Sequence, residues 1–560
     1  MARITLAPFD RLPFTQRLRW LALLALLVLM PALASSAWAQ PQSKAPLLDG
    51  LAGHSTPIES RQPLVQRYFD QGLLLAYSFN PQEAARSFEA AARLNPRCAS
   101  CWWALAWALG PTINADMAPQ DAPRVQQALR EARRHAAQAS PLRRALIKAL
   151  SLRHPAADRL DESAYAERLR ALVRQYPRSA DTALLAAEAL MNLQPYDWWN
   201  PDGSPIGATR EIEALLQRAM RLAPRHPGAH HYWIHLQESS TQPARAVTSA
   251  DTLRGAYPGS GHLLHMPSHI DLRTGRYQDA IRANQQSIAA DLRYLQQVDA
   301  QDAYRVGYVA HNHHFLWAAA AMAGQARLAL EASEAARPAA CGPSGRDPGS
   351  AIATHFAVLP LFTRLRFGQW AALLRDTPPP DAPGAYPLAI WHYARGTAYL
   401  RSGQTDAARA ELAKLTQLAQ DPSLASFKLK NINPAEPLLR IAQLTLRADL
   451  ALAGGAPSEA VELLRQATAA EDGLAYDEPH LWLAPTRHAL GAALLAAGQA
   501  AEAEAVYRQD LRHYPGNGWS LQGLALALAR QNQGKAASLA RQQAKAAFAQ
   551  AERRPSGSRF

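Results

Sequence analysis

Residues 65–98 read VQRYFDQGLLLAYSFNPQEAARSFEAAARLNPRC. Counted from Val65, the residues Tyr68, Gly72, Ala84, Phe88, Ala91 and Pro96 take positions 4, 8, 20, 24, 27 and 32. Such spacing describes two antiparallel helices with small residues where they cross and a proline that ends the second. Trp102, Leu105 and Ala106 then occupy positions 4, 7 and 8 of a unit that continues in register.

The same slots fill again further along. Residues 484–517 carry Gly491, Gly498, Ala503, Tyr507 and Pro515, and residues 389–410 carry His392, Gly396, Tyr399, Gly403 and Ala408. Pro224 and Pro258 frame units that start at 227 and 261, and a further unit starts at 310 with Gly324 and Ala329 in place. The unit starting at Ala180 is longer than the others. Its excess is a turn-rich insert, PYDWWNPDG, from Pro195 to Gly203.

These residues resemble the tetratricopeptide repeat (TPR), which implies an all-α solenoid of helical hairpins. The stretches HPGAHHYWIH, GHLLHMPSHIDLRTGRY, HNHHFLW and the C-terminal YDEP are similar to those of an exported bacterial group of such proteins. The resemblance implies an architecture and no activity. The expected organisation is a signal peptide over 1–39, a flexible linker over 40–60 and an N-terminal and central array over 61–336. A loop-rich connection with a helical segment follows over 337–387, then a C-terminal array over 388–550 and a disordered tail over 551–560.

The amino terminus is read as an address. Arg11, Arg17 and Arg19 precede an apolar run from Trp20 to Leu33, and Ala37-Trp38-Ala39 supplies a small-x-small cleavage pattern. That run is shorter than the ~20 residues of a spanning helix. The chain is therefore expected in the periplasm or outside the cell, without stable membrane insertion after cleavage. Its net charge of +13 is scattered, without a basic block, and reads as solvated helix faces with no nucleic-acid partner. Cys98 and Cys101 form a CxxC able to close a local disulfide, while Cys341 has no evident mate.

Nine of the eighteen histidines fall between His230 and His314. In the repeat register, positions 2, 5, 9 and 12 of the first helix line the concave surface. His231 and His235 take positions 5 and 9 of one unit, His262, His265 and His269 take 2, 5 and 9 of the next, and His311 and His314 take 2 and 5 of the third. His230 and His313 point into the helix packing. Imidazoles three or four residues apart on a helix share a face, with Cβ atoms about 5–6 Å apart. Such pairs suit a transition metal, zinc, iron or copper, better than calcium or magnesium. Glu188 and Glu238 are candidate carboxylates, and Trp103, Trp107, Trp198 and Trp199 are candidate groove aromatics. The insert is expected to fold over the histidines.

Two functions follow from this register. One is a histidine-lined groove that binds a ligand with a transition metal. The other is a scaffold that grips a peptide or partner protein without metal or catalysis. No phosphate loop, nucleophile elbow or serine–histidine–aspartate arrangement names a reaction or a catalytic residue.

Overall fold

Asn80 stops one helix and starts the next: its side chain accepts from the Glu83 amide, and Pro81 supplies the first helical residue. Helix Pro63–Tyr77 packs against helix Pro81–Leu94. A Cβ added to Gly72 would lie 2.6 Å from the Phe88 ring, so positions 8 and 24 meet where the helices cross. The crossing recurs at the far end of the chain, where a Cβ on Gly491 would lie 2.3 Å from Tyr507. Ser140, Asp161, Ser179, Ser260 and Asn517 cap later helices as Asn80 caps this one.

This computed structural model describes residues 45–298, 304–341, 350–379, 384–429 and 432–560, and the proposed signal peptide lies outside them. From Pro46 to Phe560 the chain is one unit of all-α helical hairpins. The pairs Ala180–Asn192 with Thr209–Leu222, Ala385–Arg401 with Thr405–Leu418, and Gly518–Arg530 with Gly534–Ala547 are examples. Among the described residues, the strands are Lys428–Leu429 and Asn433–Pro434, paired antiparallel. No described helix is long and apolar enough to cross a membrane.

Three segments carry the histidines. Helix Pro227–Glu238 is buried at every residue, as a helix enclosed by neighbours on all sides must be. The next is two short helices, Gly261–His265 and Pro267–Thr274, parted at Met266 because Pro267 has no amide hydrogen to continue the ladder. The third, Ala310–Met322, follows a π-helical turn at Arg305–Val309.

The segments expected to be loose are packed. Residues 46–60 are not a flexible linker: the Leu48 amide donates to Gln71, Leu51 is buried, and the Gly259 amide donates to Gly50. Nor are 551–560 a disordered tail. Ser558 donates to the His488 carbonyl, Arg559 pairs with Asp449 at 2.6 Å, and Phe560 packs on Trp519. Apolar and hydrogen-bonding partners outweigh the turn-rich composition in both cases. The connection holds three short helices, Ala351–Phe356, Leu359–Arg366 and Trp370–Arg375. Across it the two arrays touch directly, with Trp519 Nε1 donating to the Ala321 carbonyl at 3.2 Å. Cys98 and Cys101 are joined as a disulfide.

Candidate metal centre

His231 and His235 stand one turn apart, and their Nε2 atoms are 3.1 Å apart. His262 Nε2 approaches the same His231 atom at 3.0 Å. In the second segment His265 Nε2 lies 2.8 Å from His269 Nε2, and His311 comes within 4.9 Å of His265 ring to ring. Two sets of three imidazoles result: His231, His235 and His262, then His265, His269 and His311. Within each, one nitrogen per ring lies within 4.8 Å of the others. The sets adjoin, with rings 5.3 Å apart between His235 and His269 and 5.9 Å between His262 and His265.

Hydrogen bonds on the far side of each ring decide which nitrogen carries the proton. His231 Nδ1 donates to the Tyr77 carbonyl, and His265 Nδ1 donates to Asn284 Oδ1 at 2.7 Å. The Asn284 amide nitrogen is itself committed to the Ala280 carbonyl, which fixes its oxygen toward His265. Glu238 serves two rings, accepting from His235 Nδ1 at 2.7 Å and from His269 Nδ1 at 2.6 Å. Four rings therefore turn an Nε2 inward.

The chamber is closed by aromatic rings, one for each set. Phe79 lies against His231, His235 and His262 at 4.4, 5.7 and 5.5 Å. Phe315 lies against His265, His269 and His311 at 4.6, 4.5 and 4.7 Å. Tyr308, on the π-helical turn, meets His262, and Tyr196 meets His235 edge-on at 6.0 Å. Phe79 and Tyr196 hold left-handed backbone, φ 52° and 61°, which a non-glycine residue adopts only where its surroundings impose it.

A strap from the C-terminal array completes the polar shell. Tyr476 donates to Glu238 at 3.1 Å, and Glu478 Oε2 lies 2.7 Å from His269 Nδ1. Burial drives the basicity of His231, His262 and His265 well below the usual imidazole range and that of His235 to about 3. Burial would lower His269 too, but Glu238 and Glu478 hold it up to about 10. His269 thus has a proton for its Nε2 to offer His265. No comparable proton stands between His231 and His235.

The register expected these residues on an open groove. Instead His231, His235, His262, His265 and His269 are each no more than 2% exposed, because Phe79, Phe315 and the strap cover them. His314 turns away from the chamber and packs on Trp317, His355 and Phe356. His230 faces its hairpin partner through Ser249. Glu188 is buried apart from the histidines, accepting from Trp107, and burial pushes its carboxyl up to about 7.

The tryptophans are not chamber anchors either. Trp103 and Trp107 stack within the N-terminal hairpins beneath Arg143, and Trp198 of the insert is buried away from the chamber's histidine rings. The insert does reach the first histidine helix: Trp199 Nε1 donates to the Leu236 carbonyl, and Tyr196 is the ring it lends to the chamber. Sequence reasoning missed Tyr77, Phe79, Tyr196, Asn284, Tyr308, Phe315, Tyr476 and Glu478. The available signals were the stretches that hold some of them, YDEP for Tyr476 and Glu478, HNHHFLW for Phe315 and the insert for Tyr196.

A small cleft of about 50 Å³ adjoins His269 of the second set. His269, Phe315 and Glu478 form its inner end, and Tyr277, Tyr476, Trp482 and Tyr514 line its walls.

No family model matches the chain, and no curated protein matches it. Among solved structures, the human IFIT1 dimer with m7Gppp-AAAA is 12% identical, with 86% of this chain and 89% of that chain covered and a TM-score of 0.29. The human IFIT1 dimer with PPP-AAAA is 11% identical over 86% and 90%, also with a TM-score of 0.29. At such identities and scores nothing about ligands or partners passes from those proteins to this one.

Proposed function

We propose that this chain is an exported transition-metal protein whose histidine chamber binds its ion and admits a small ligand through the adjoining cleft. One observation carries the reading. His231 and His235 both place their proton on Nδ1, toward Tyr77 and Glu238, so two bare Nε2 lone pairs face each other at 3.1 Å in a buried site. His262 Nε2, 3.0 Å from His231, can donate to that lone pair, but the His235 lone pair facing it still lacks a proton unless a cation lies between the rings. Ligands about 2.0–2.1 Å from a tetrahedral ion are themselves about 3.3 Å apart, close to the separation seen. Neutral imidazole suits zinc, copper or iron and does not suit calcium or magnesium. Export rests on the sequence of residues 1–39.

Metal analysis of protein purified without an affinity tag tests the proposal. The expected result is a stoichiometric transition metal whose removal by chelator lowers Tm and whose return restores it. Chain that carries no ion, and whose Tm is unmoved by zinc, copper(II) or iron(II), would instead leave the repeat scaffold as the function, gripping a peptide or partner protein.

A further inference from the structure

We infer that the chamber holds two ions: one on His231, His235 and His262, the other on His265, His269 and His311. This rests on the metal-binding reading above and adds its nuclearity. Each set is built as a complete site. The nitrogens of each lie within 4.8 Å of one another, and the closest contacts are inside the sets, at 3.0 and 3.1 Å in the first and 2.8 Å in the second. Ring centres do not divide the six, since His235 and His269 stand 5.3 Å apart against 6.4 Å for His235 and His262; the division rests on which three nitrogens converge. A single ion on the second set leaves the facing Nε2 atoms of His231 and His235 without a cation.

The surroundings divide the same way. Phe79 covers the first set and Phe315 the second. Tyr77 orients a ring of the first and Asn284 a ring of the second, while Glu238 orients one ring of each. A shared carboxylate between two three-histidine sites ties their positions together and offsets part of the charge of two cations. Glu478 adds a second carboxylate beside His269.

The two sites differ in access. The cleft reaches His269 and Phe315 and touches none of His231, His235 and His262. Of the six histidines His269 is the one that lines the cleft, so the second set is the nearer to an entering ligand. Two adjoining ions act together on oxygen ligands, so water or hydroxide is the class of ligand such a pair would take.

Titration of chelator-stripped protein with copper(II) or zinc, followed by removal of unbound metal, reads the stoichiometry. Two equivalents per chain are expected for the wild type. One is expected for His231→Ala/His262→Ala and one for His265→Ala/His311→Ala. A wild-type stoichiometry of one, abolished by either pair of substitutions, would overturn the two-ion assignment and leave the metal-binding reading intact. A stoichiometry of zero would overturn both. The wild-type count needs no variant to fold, and for copper(II) it has an independent readout. Two adjoining coupled ions give far less electron paramagnetic signal than the metal content demands, and uncoupled signal equal to the full metal content would contradict adjoining sites.

Discussion

A buried imidazole offers whichever nitrogen its outer hydrogen bond leaves free, so the residues behind the histidines matter as much as the histidines. Glu238 is the clearest case, since it fixes a ring in each set. Glu238→Gln keeps the shape but presents an amide hydrogen to one of the two Nδ1 atoms, turning that ring's proton inward. Metal affinity is expected to fall about 10–100-fold, as it does when such outer partners are removed elsewhere. Competition with a chromogenic chelator measures it, with circular dichroism to confirm unchanged helicity. Equal affinity in the variant would show that Glu238 does not set the tautomers. At this scale the sequence was partly readable. The i,i+4 histidine pairs and Glu238 stand on visible helical spacing. Phe79 sits in a turn that no periodicity marks. His314 was misplaced because the side that faces the chamber on the third helix is the His311/Phe315 pair, four apart, just after a π-helical turn disturbs the register.

Helices in this chain cross where the repeat places a glycine, and the crossing tolerates no side chain there. Gly72→Val is expected to destabilise by about 1–3 kcal/mol, because its Cβ would already lie 2.6 Å from the Phe88 ring. Gly534→Ala is the control, since a Cβ there meets nothing within 4 Å. Urea unfolding compares them, and a Gly72 variant as stable as the Gly534 one would refute the close crossing. These crossings were legible from the spacing alone, as were the helix hairpins. The insert was legible as an excess of residues, and so was its neighbourhood, but not the side chain it would offer. Tryptophan looked like the anchor, yet the backbone turns Trp198 inward and gives the chamber Tyr196.

Across the whole molecule, the arrays are joined by buried charge as well as apolar packing. Arg366 lies over the Trp519 ring at 3.8 Å and donates to His488 Nδ1, and His488 Nε2 donates to Asp510 at 3.0 Å. Burial would raise the Asp510 carboxyl, but His488, Ser520 and Asn517 hold it below the usual range. A carboxyl lowered in the folded state contributes stability that is present above its unfolded pKa, near ~3.9, and lost as pH falls through the folded value. Asp510→Asn is expected to cost about 3–5 kcal/mol at neutral pH, the range for breaking one partner out of a buried charged set. The gap from the wild type should narrow as pH falls below the carboxylate range. Unfolding curves at pH 7 and in acid check this, and a gap that stays constant with pH would refute it.

Contacts between distant parts of the chain are what sequence periodicity cannot show, and the strap makes one of the widest. Tyr476 meets Glu238 across 238 residues. A ribosomal product cut short before that strap would build every histidine of the chamber and still lack the second carboxylate on His269. Full occupancy by a metal would then require that the chain has been made as far as the strap and that the strap has docked. An ion that binds only that finished form adds about 2.7 kcal/mol when its concentration is a hundredfold above Kd. A metal held there would thereby report that the strap of Tyr476 and Glu478 has docked on the histidine helices.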